Sequence, residues 1–462
     1  MNIQNNIKEI CIIGCGTYGS YIAKRLSDKN VNITIIEVGN SQIKSEKDIG
    51  FFSKFSGIKY DGLSKGRFFG FGGTSAKWGG QLLFFSEKDF ANPNPFLKSI
   101  TELNLKHKKK VLNFFGITDS SEDQYFNKEF FIKNGIWLNY YKRNLFKLFN
   151  IKKQSNVKII SNSRVIKIDS DNKQVKYIYY VSNGIQSSIT ADYFYLTTGA
   201  FESARLLINS SIIQPNKLNF SDHYSKKFVK IFGKPHIQNL DLTFNFTKDY
   251  SLRTSRLVGE LVNQNISYFI HPIYNSEFQF FQNFKTILFK KDYKKEILIN
   301  IIKDLPSVFN FIYHILFLKK LYIKDNTWYM QIDIESHIEN SEISISKNLD
   351  SYNQNGLDIN IKSIEKIEES FTEIENKIIC LLKEQNIKYE ICNNEIEVNK
   401  IEDTYHPYKI TSDFTDINSY FNFFKNMLIV NTGILPRVGG INPTAALFPL
   451  IEENITINFE NI

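Results

Sequence analysis

Near the N-terminus, the apolar residues follow the order strand, glycine turn, helix, strand. A β-type run at residues 10–13 leads into Gly14-Cys-Gly16-Thr-Tyr-Gly19, and apolar residues at helical spacing follow. A second apolar run, Val31–Ile36, ends at Glu37. This order is that of a βαβ dinucleotide-binding unit, and an ordinary glycine-rich turn is the alternative.

The three glycines of this motif have separate expected roles. Gly14 permits a tight turn, Gly16 lets the backbone approach a pyrophosphate, and Gly19 lets the helix pack on the strand. The helix N-terminus supplies N–H groups and the positive end of its dipole to the phosphates. Glu37 is placed to accept a hydrogen bond from a ribose 2′-hydroxyl, which favours FAD or NAD over NADP.

A second glycine-rich tract, residues 66–80, is also rich in aromatic residues. It contains six glycines in fifteen residues, with Phe, Trp and Arg between them. So many glycines disfavour a helix or a strand and predict a loop with exposed backbone N–H groups, suited to an anion or a flat ring. A flexible linker is the alternative, but linkers are rarely so aromatic.

Two further strand–glycine junctions follow later in the chain. The apolar run Tyr193–Leu196 precedes Gly199 and a helical pattern. Near the C-terminus, residues 427–430 precede a glycine turn and the segment Asn442-Pro443-Thr444. We expect the helix after Gly199 to point its N-terminus toward the cofactor, and the C-terminal segment to close the same site.

The middle of the chain is predicted to differ in character from its ends. Residues 91–150 read mostly as helix and loop, 157–181 as strands with a hairpin, and 226–400 as alternating strand-like runs. Residues 363–386 predict one amphipathic helix. The lysine-rich block 285–320 predicts either a solvated helix pair over the core or a surface for an anionic membrane.

Composition bounds the class of protein without naming its function. The chain has 462 residues, of which 42% are hydrophobic and 23% charged, so a folded protein of two domains is expected. The formal net charge of +9 is compatible with nucleic acid, a membrane surface or an anionic substrate. Because the lysines are mixed with acids and no basic motif occurs, we do not expect nucleic-acid binding.

The cysteines and the apolar runs indicate the compartment. Cys11, Cys15, Cys380 and Cys392 form no Cys-x-x-Cys pair, so metal and disulfide sites are disfavoured and a reducing cytoplasm is expected. The first apolar run is already the βαβ strand rather than a signal pattern, and the longest run, near 309–318, is too short to span a bilayer. We therefore expect a cytoplasmic protein that is soluble or peripheral at the inner face of the membrane.

Together, these segments resemble the glucose–methanol–choline (GMC) family of flavin oxidoreductases, in the same order along the chain. The matching segments are Gly14 to Gly19 with Glu37, residues 67–80, residues 198–207, Ser221-Asp222-His223, residues 350–356, Tyr405-His406-Pro407 and Asn442-Pro443-Thr444. The form Gly-Gly-Thr-Ser-x-x-Trp-Gly-Gly is closer to the sugar-acting, bacterial polysaccharide-associated branch than to aryl-alcohol oxidases. The resemblance covers roughly the whole FAD domain and is thin over 226–400.

The resemblance implies FAD as the cofactor and no metal. The residues implied to bind FAD are Gly14, Gly16, Thr17, Tyr18, Gly19, Glu37, Arg67, Gly72, Gly73, Thr74, Ser75, Trp78, Gly79, Val165, Gly199, Ala200, Arg205, Gly433, Pro443 and Thr444. In a subset of the family a histidine holds the flavin covalently. Lys77 occupies that position here, so the FAD is expected to be non-covalent.

A second departure from the family lies next to the implied catalytic histidine. In the commoner family motif, Gly and Thr follow the His-Pro pair by two and three residues. Here His406-Pro407 is followed by Tyr408-Lys409-Ile410. We therefore expect the backbone near His406 to differ from that motif.

Alcohol oxidation removes a hydroxyl proton and a hydride from one carbon, and flavin N5 can accept the hydride. Histidine suits the proton step because its unperturbed pKa is roughly 6.5. We expect His406 to act as the base, and Asn442 to hydrogen-bond the substrate oxygen or to orient His406. For the other histidines we expect His107 at the surface and His223 as structural support near the flavin. We expect the other four histidines to be structural or solvent-facing, with one of them a candidate to line the substrate cavity. They are His236, His271, His314 and His337.

The predicted fold class is α/β, with a Rossmann-like FAD-binding domain built from discontinuous segments and a β-sheet-based substrate domain. The FAD-binding domain takes residues 1–90 and 155–225, and a helical and loop connection takes 91–154. The substrate-binding domain takes 226–403. The catalytic His/Asn segment and the closure of the FAD domain take 404–462.

The favoured function is FAD-dependent oxidation of an alcohol, with a sugar hydroxyl as the preferred substrate and an unknown electron acceptor. A lipid-linked sugar at a membrane surface would account for the block at 285–320. Two alternatives stay open: redox-neutral epimerisation of a sugar carbon, and a catalytically inactive flavoprotein that serves as a binding subunit. An NAD-dependent dehydrogenase is disfavoured because it needs neither the second glycine loop nor the Asn-Pro turn.

Overall fold

The computed structural model describes residues 7–57, 66–118, 122–214, 218–238, 240–276, 278–285, 304–335, 341–361, 365–392, 406–411 and 413–460, with positions 287, 299 and 302. Tyr405, His337 and much of the lysine-rich block at 285–320 lie outside the described residues.

In chain order, the strands are β1 (Lys8–Ile13), β2 (Val31–Ile36), β3 (Ser53–Gly57), β4 (Gln81–Leu82), β5 (Gln124–Tyr125), β6 (Phe131–Trp137), β7 (Val157–Ile160), β8 (Ser163–Asp171), β9 (Gln174–Ser182), β10 (Ile185–Ile189), β11 (Tyr193–Leu196), β12 (Leu218–Asn219), β13 (His223–Phe232), β14 (His236–Ile237), β15 (Leu240–Asp241), β16 (Asn245–Phe246), β17 (Leu252–Leu261), β18 (Ile266–Tyr274), β19 (Thr327–Glu335), β20 (Ser341–Leu349), β21 (Asn355–Ile361), β22 (Tyr389–Ile391) and β23 (Met427–Ile429).

The α-helices are α1 (Thr17–Ser27), α2 (Pro95–Phe114), α3 (Leu145–Leu148), α4 (Ala200–Asn209), α5 (Gln279–Lys285), α6 (Leu305–Tyr313), α7 (Glu365–Glu384), α8 (Ile417–Phe421) and α9 (Phe448–Phe459). A π-helical turn, His314–Leu318, continues α6, and short 3-10 turns include Gly73–Ala76, Tyr140–Lys142 and Thr432–Ile434.

A five-stranded parallel sheet forms the centre of the first part of the molecule. Its strand order is β23–β11–β1–β2–β7. Helices α1 and α9 pack together beside it, with the rings of Tyr21 and Phe448 4.4 Å apart. Parallel strands covered by helices are rich in apolar residues along their length, which agrees with the sequences of β1 and β2. Since the carboxyl ends of parallel strands meet at one edge, the loops after β1, β2 and β11 converge there.

A larger antiparallel sheet forms the second part. Its strand order is β22–β13–β19–β18–β17–β6–β4, with β16 pairing β17 and β5 pairing β6. Helix α7 covers one face through apolar residues that include Ile367, Phe371, Ile374 and Ile378, all 0% exposed. The amphipathic helix predicted over 363–386 is therefore present. Alternate side chains of β17, β18 and β19 point away from α7, toward the parallel sheet.

Two smaller sheets complete the fold. The first has the order β12–β20–β21–β3, so that β3, from the N-terminal part of the chain, runs parallel to β21. The second is the hairpin sheet β8–β9–β10 that the sequence predicts from residue 157 onward. Asp350, in the turn between β20 and β21, forms an ion pair with Arg164 of β8.

The strand β6 lies within residues 91–150, for which the sequence predicts mostly helix and loop. It pairs with β17 and β4 inside the large sheet. Lys133 lies in its middle with 1% of its surface exposed, and its Nζ donates to Asp89 Oδ2 (2.7 Å), Asp123 Oδ2 (2.8 Å) and the Phe84 carbonyl (2.9 Å). A lysine at a buried position breaks the apolar alternation by which a strand is recognised in a sequence.

The expectation that His107 lies at the surface is wrong. His107 is 6% exposed and its Nε2 is 2.6 Å from Glu453 Oε2 of α9. In α2 it follows Ile100 and Asn104 at helical spacing, and both of these are fully buried. The lysines beside His107 in sequence point in other directions around the helix, so they do not report its exposure.

Replacing Lys133 by methionine tests the buried ion cluster of β6. Removal of one partner leaves the buried carboxylates of Asp89 and Asp123 without their cation, and we expect a loss of about 3–5 kcal/mol in the free energy of unfolding. Chemical denaturation of Lys133→Met measures this loss. The control Lys128→Met changes an exposed lysine three residues before β6, and should stay within about 0.5 kcal/mol of the wild type. A loss below about 1 kcal/mol in Lys133→Met would contradict the cluster's role.

Candidate active site

The first glycine loop joins β1 to α1 at the edge of the parallel sheet. Gly14 has φ +95°, a conformation that favours glycine, and its N–H donates to the Ile36 carbonyl (2.9 Å). A Cβ at Gly19 would overlap the Gly14 carbonyl and lie 2.8 Å from Thr197 Oγ1, so only glycine lets α1 pack this closely. Gly16 precedes α1 and provides no capping side chain, so the first N–H groups of the helix are left for a ligand.

The second glycine loop, residues 66–80, lies directly against the first. Gly73 has φ +49°, and a Cβ there would lie 2.9 Å from Gly16 Cα. The Gly72 N–H donates to the Cys15 carbonyl (2.9 Å), and a Cβ on Gly72 would overlap the Asn144 side chain. The two loops therefore touch through glycines, as the predicted backbone-lined site requires.

Ser75 holds the shape of this loop from behind. It is fully buried, and its Oγ donates to the Gly72 carbonyl (2.6 Å) and accepts from the Leu145 N–H (3.1 Å). Trp78 is fixed in the same way, because its Nε1 donates to the Arg143 carbonyl (2.7 Å). Both hydrogen bonds connect the loop to residues 143–145.

Glu37, at the end of β2, connects three loops through its carboxylate. Its Oε2 accepts from the Cys15 N–H (2.7 Å), and its Oε1 accepts from the N–H groups of Gly39 (2.9 Å) and Gly70 (3.0 Å). Burial raises the pKa of Glu37, and the three N–H donors oppose this shift. A carboxylate has about four lone-pair sites, so one acceptor site remains for a ribose hydroxyl.

The third junction, after β11, points the N-terminus of α4 at the same edge. Gly199 has φ +81°, and a Cβ there would have no atom within 4 Å, so this glycine faces open space. Thr197 Oγ1 donates to the Gly14 carbonyl (2.8 Å), which joins β11 to the first loop. Asn431 Oδ1 accepts from the Gly433 N–H (2.8 Å) and its Nδ2 donates to Ser203 Oγ (3.1 Å), which joins the C-terminal segment to α4.

Arg67 and Arg205, both predicted to bind the cofactor, pair with buried carboxylates. Arg67 forms ion pairs with Glu46 and with Glu202 (2.9 Å). Arg205 contacts Glu202 at 3.1 Å and Glu46 at 3.3 Å, and is 1% exposed. Both arginines border the cavity, but their charges are balanced within the protein. The contacts give them a role in fixing the loops, and direct binding of a cofactor stays a prediction.

These loops enclose one end of a cavity of about 1250 Å³ that lies between the parallel and the antiparallel sheets. Ligand pockets usually measure about 300–1,000 Å³, so this cavity has room for a dinucleotide together with a second molecule. Predicted residues that line it are Gly14, Gly16, Thr17, Tyr18, Glu37, Arg67, Gly73, Thr74, Trp78, Gly79, Val165, Gly199, Ala200, Arg205, His406, Asn442 and Thr444. Predicted residues that do not line it are Gly19, Gly72, Ser75, Gly433 and Pro443.

His406 borders this cavity with an unpaired ring nitrogen. Its Nε2 is buried and has no hydrogen-bond partner among the described residues, while its backbone N–H donates to both carboxylate oxygens of Asp222 (3.0 Å each). Burial, and then the nearby His223, lower the pKa of His406 to about 3. The ring is therefore neutral at ordinary pH and offers a lone pair to a donor in the cavity.

The altered sequence after His406 is held by backbone hydrogen bonds. Tyr408 is 1% exposed and exchanges N–H and carbonyl bonds with Ser221 (2.9 and 3.1 Å). Lys409 takes the left-handed conformation (φ +54°), and its N–H donates to the Leu435 carbonyl (2.8 Å). The glycine of the resembled motif, two residues after the His-Pro pair, would fall at 409, and Lys409 takes a positive φ there. His406 thus begins a well-anchored segment.

Asn442 and Thr444 bring the C-terminal segment to the cavity. Asn442 Oδ1 accepts from the Thr444 N–H (3.0 Å), so the amide N–H groups are the part of this side chain that can serve a substrate oxygen. The Thr444 carbonyl accepts from the hydroxyl of Tyr18 (3.0 Å), which fixes the segment on α1.

A buried ion pair anchors this segment on the large sheet. Arg437 contacts Glu335 and also Glu260 (2.9 Å), and Glu335 Oε2 accepts from the Val438 N–H (3.2 Å) and the Gly439 N–H (3.1 Å). The Gly439 carbonyl in turn accepts from His223 Nε2 (2.8 Å). His223 therefore supports the C-terminal segment, in the structural role predicted for it.

Sequence reasoning did not single out the pair formed by His271 and Asp333. His271 Nε2 lies 3.0 Å from Asp333 Oδ2, and both residues line the cavity from neighbouring strands β18 and β19. Burial would raise the pKa of Asp333, but His271 and hydrogen bonds from Ser225 and Gln331 lower it. No local motif surrounds either residue, and their meeting follows only from the strand register.

Arg256 adds a cation to the same wall. It is 3% exposed, its guanidinium lies 4.9 Å from the ring centroid of Phe269, and it lines the cavity on β17. Arg256, His271 and Asp333 thus supply hydrogen-bonding groups on the side opposite the glycine loops. Within the described part of the chain, no three His, Cys, Asp or Glu side chains form a metal-binding group.

No protein-family model matches this sequence, and no curated protein is similar to it in sequence. Among solved structures, pyridoxine 4-oxidase from Mesorbium loti is similar with a TM-score of 0.52 at 12% identity, over 98% of this chain and 100% of that one. A formate oxidase from Aspergillus oryzae, with an arginine-to-alanine change studied for its effect on FAD modification, also has a TM-score of 0.52 at 12% identity, over 99% of both chains. These likenesses confirm the predicted α/β fold class, a Rossmann-like domain with a β-sheet-based second domain.

The lowered pKa of His406 predicts a specific dependence of stability on pH. The unfolded chain binds a proton at this histidine below about pH 6.5, whereas the folded protein does so only near pH 3, so folding loses stability as pH falls through this window. His406→Asn removes the titrating group. We expect its unfolding free energy to fall less than that of the wild type on acidification, by up to about 1.4 kcal/mol per pH unit below pH 6.5.

Chemical denaturation of both proteins at pH 7.5, 6.0 and 5.0 measures the difference. His236→Asn, at a histidine whose side chain is 49% exposed, is the matched control and should follow the wild type. Parallel curves for His406→Asn and the wild type would show that His406 is not held neutral by burial.

Proposed function

We propose that this protein is an FAD-dependent oxidoreductase that oxidises the CH–OH group of an alcohol to a carbonyl. The observation that carries this proposal is the buried, unpaired His406 Nε2, which borders the cavity formed by the two glycine loops and the N-termini of α1 and α4. The two oxidases of similar fold support it, since one is studied for FAD modification.

The residues present fit FAD. Glycine contacts between the loops around Gly16 and Gly73 leave backbone in place of side chains at the cavity wall, and α1 offers uncapped N–H groups to phosphates. Glu37 keeps one acceptor site for a ribose hydroxyl, and Val165 and Trp78 border the same space. Lys77 stands where a covalent histidine would be, so we propose that the FAD is non-covalent.

The chain's own residues perform the proton step in this proposal. His406 Nε2 accepts the proton of the substrate hydroxyl, and Asn442 donates an amide N–H to the same oxygen. When bound, the flavin supplies the acceptor for the hydride that leaves the carbon. Asp222 holds the backbone of His406 through two hydrogen bonds, so the base is positioned before the substrate arrives.

We propose a sugar-type hydroxyl as the group oxidised. Arg256, His271 and Asp333 line the substrate side of the cavity and offer donors and acceptors for additional hydroxyl groups. The form of the glycine loop at residues 66–80, which is closer to sugar-acting relatives, agrees with this choice.

The visible spectrum of the purified protein, before and after acid precipitation, tests the assignment. Flavin bands that move to the supernatant are expected for non-covalent FAD, and bands that stay in the pellet would mean covalent attachment. A colourless protein that does not bind added FAD would refute the proposal. Turnover of a sugar without any electron acceptor would instead indicate epimerisation.

His406→Asn is expected to retain FAD and to slow flavin reduction by a substrate alcohol about 10²–10⁴-fold, because the general base is lost. Anaerobic stopped-flow bleaching of the flavin band measures the rate. His236→Asn should bleach at the wild-type rate. A reduction slower by less than about threefold in His406→Asn would place the base elsewhere.

Gly73→Ala tests the contact between the two glycine loops. The new Cβ would lie 2.9 Å from Gly16 Cα, so the loops must separate and FAD content should fall by at least about tenfold. Gly184→Ala is the matched control, since Gly184 also has a positive φ (+78°) but no atom within 4 Å of the added Cβ. The 450 nm absorbance per protein reports FAD content. Equal content in the two variants would contradict the role of the contact.

A further inference from the structure

Helix α6 and the π-helical turn that continues it expose an unusual amount of apolar surface. The 14 residues 305–318 contain no Asp, Glu, Lys or Arg. Phe309 is 66% exposed and Phe317 is 73% exposed. Other large apolar residues that are exposed along this segment are Leu305, Ile312, Tyr313, Leu316 and Leu318. A contiguous exposed set of this kind marks an interaction site.

The outward face of the segment is regular. Leu305, Phe309, Ile312 and Leu316 follow one another at spacings of four, three and four residues, which places them on one side of a helix. At 14 residues the apolar stretch is too short to cross a bilayer but suits a helix lying in its surface. No helix among the described residues is both long and apolar enough to cross a membrane.

The inward face of the same helix forms part of the cavity wall. Phe311 and Ile315, one helical turn apart, line the cavity, and Phe311 packs against Phe280 (5.6 Å between ring centroids) and Phe281 (5.7 Å) of α5. Phe244 and Leu321 continue this apolar wall toward the interior. The exposed face and the cavity are therefore separated by the width of one helix.

Exposed tyrosines extend the surface around the cavity. Tyr140, Tyr141 and Tyr250 are 46%, 88% and 43% exposed, and all three also line the cavity. The Tyr250 ring lies 4.0 Å from Lys319 Nζ, so the tyrosines and the end of the π-helical turn are contiguous. Tyrosine is favoured where a protein meets the interface of a membrane. We call α6, the π-helical turn and these three tyrosines the apolar rim.

Lysines flank the apolar rim. Lys142 pairs with Asp249 (2.8 Å), Lys320 with Asp241 (4.0 Å) and Lys324 with Asp304 (3.7 Å). Lys248 and Lys319 have no carboxylate partner among the described residues, so they leave positive charge beside the apolar surface, in a chain with a net charge of +9. Anionic lipid headgroups complement such charge, and lysine stems can lie along the apolar surface.

We propose that the apolar rim docks on a bilayer that contains anionic lipids, and that the substrate enters the cavity from this bilayer as an alcohol with an apolar chain. The docking depends only on the surface described above. The nature of the substrate rests on the proposed function, with the apolar chain lying along Phe311 and Ile315 and the hydroxyl reaching His406.

Vesicle sedimentation tests the docking. The wild type should pellet with vesicles of phosphatidylcholine and phosphatidylglycerol (7:3), and at least about tenfold less with phosphatidylcholine alone. Phe309→Ser/Phe317→Ser should reduce the partition coefficient at least about tenfold, since two exposed aromatic side chains that would enter the bilayer are lost. The matched control Ile185→Ser/Ile457→Ser changes two apolar residues exposed to 69% and 61% elsewhere, and should bind within twofold of the wild type.

Failure of the wild type to pellet with anionic vesicles would overturn the docking, as would equal binding by the two double variants. A dimer in solution that Phe309→Ser/Phe317→Ser converts to a monomer, without vesicle binding, would show that a second copy covers the rim. Each of these results is independent of flavin content and of activity. A failure of the proposed function would show as the absence of FAD bands, so the two failures can be told apart.

Calorimetric binding of decyl β-glucoside and methyl β-glucoside, below the micellar concentration, tests the apolar chain. We expect the decyl compound to bind at least about tenfold more tightly, and Ile315→Ser to remove most of this difference while Ile457→Ser preserves it. Equal affinities for the two glucosides, no binding of either, or an unchanged difference in Ile315→Ser would overturn entry from the bilayer.

Discussion

The carboxylate of Glu37 is the interaction on which the arrangement of the glycine loops beside the parallel sheet depends. It accepts from backbone N–H groups of three separate segments, after β1, after β2 and in the second glycine loop. Hydrogen bonds to a carboxylate are roughly twice as strong as neutral ones, so these three contribute strongly to holding the segments together. Glu37, a buried acid at the end of β2, therefore holds these loops together. In the proposed function, the same carboxylate also accepts a hydrogen bond from a ribose hydroxyl.

The substrate side is built from distant parts of the chain that meet at the same cavity. The ion pair of Arg437 with Glu335 fixes residues 437–439 on the large sheet, and the hydroxyl of Tyr18 fixes Thr444 on α1. Asn442 lies between these two anchors. His406 is held from another direction, by Asp222, the residue before β13. His406 and Asn442, the two residues proposed to contact the substrate oxygen, are thus positioned by backbone and ion-pair contacts rather than by each other.

What the sequence could predict is what local patterns determine. Gly14, Gly16 and Gly19 report a turn whose steric demands fall within six residues, and the periodicity of α7 reports one buried face. The strand β6 could not be recognised, because Lys133 owes its buried place to Asp89 and Asp123, which come from other segments. The pairing of His271 with Asp333 was missed for the same reason, since 62 residues separate them along the chain and only strand register brings them together.

The sequence after His406 departs from the family motif, and the positive φ of Lys409 explains how the backbone accommodates this departure. The glycine of that motif, two residues after the His-Pro pair, would fall at 409, and its replacement by a lysine suggests a lost turn. In this structure Lys409 keeps a positive φ at that position, at a cost of order 1 kcal/mol for a residue other than glycine. Buried Tyr408 offsets that cost through two backbone hydrogen bonds with Ser221, the residue next to Asp222. Because the same Asp222 holds the backbone of His406, the altered segment keeps the histidine rigid at the cavity.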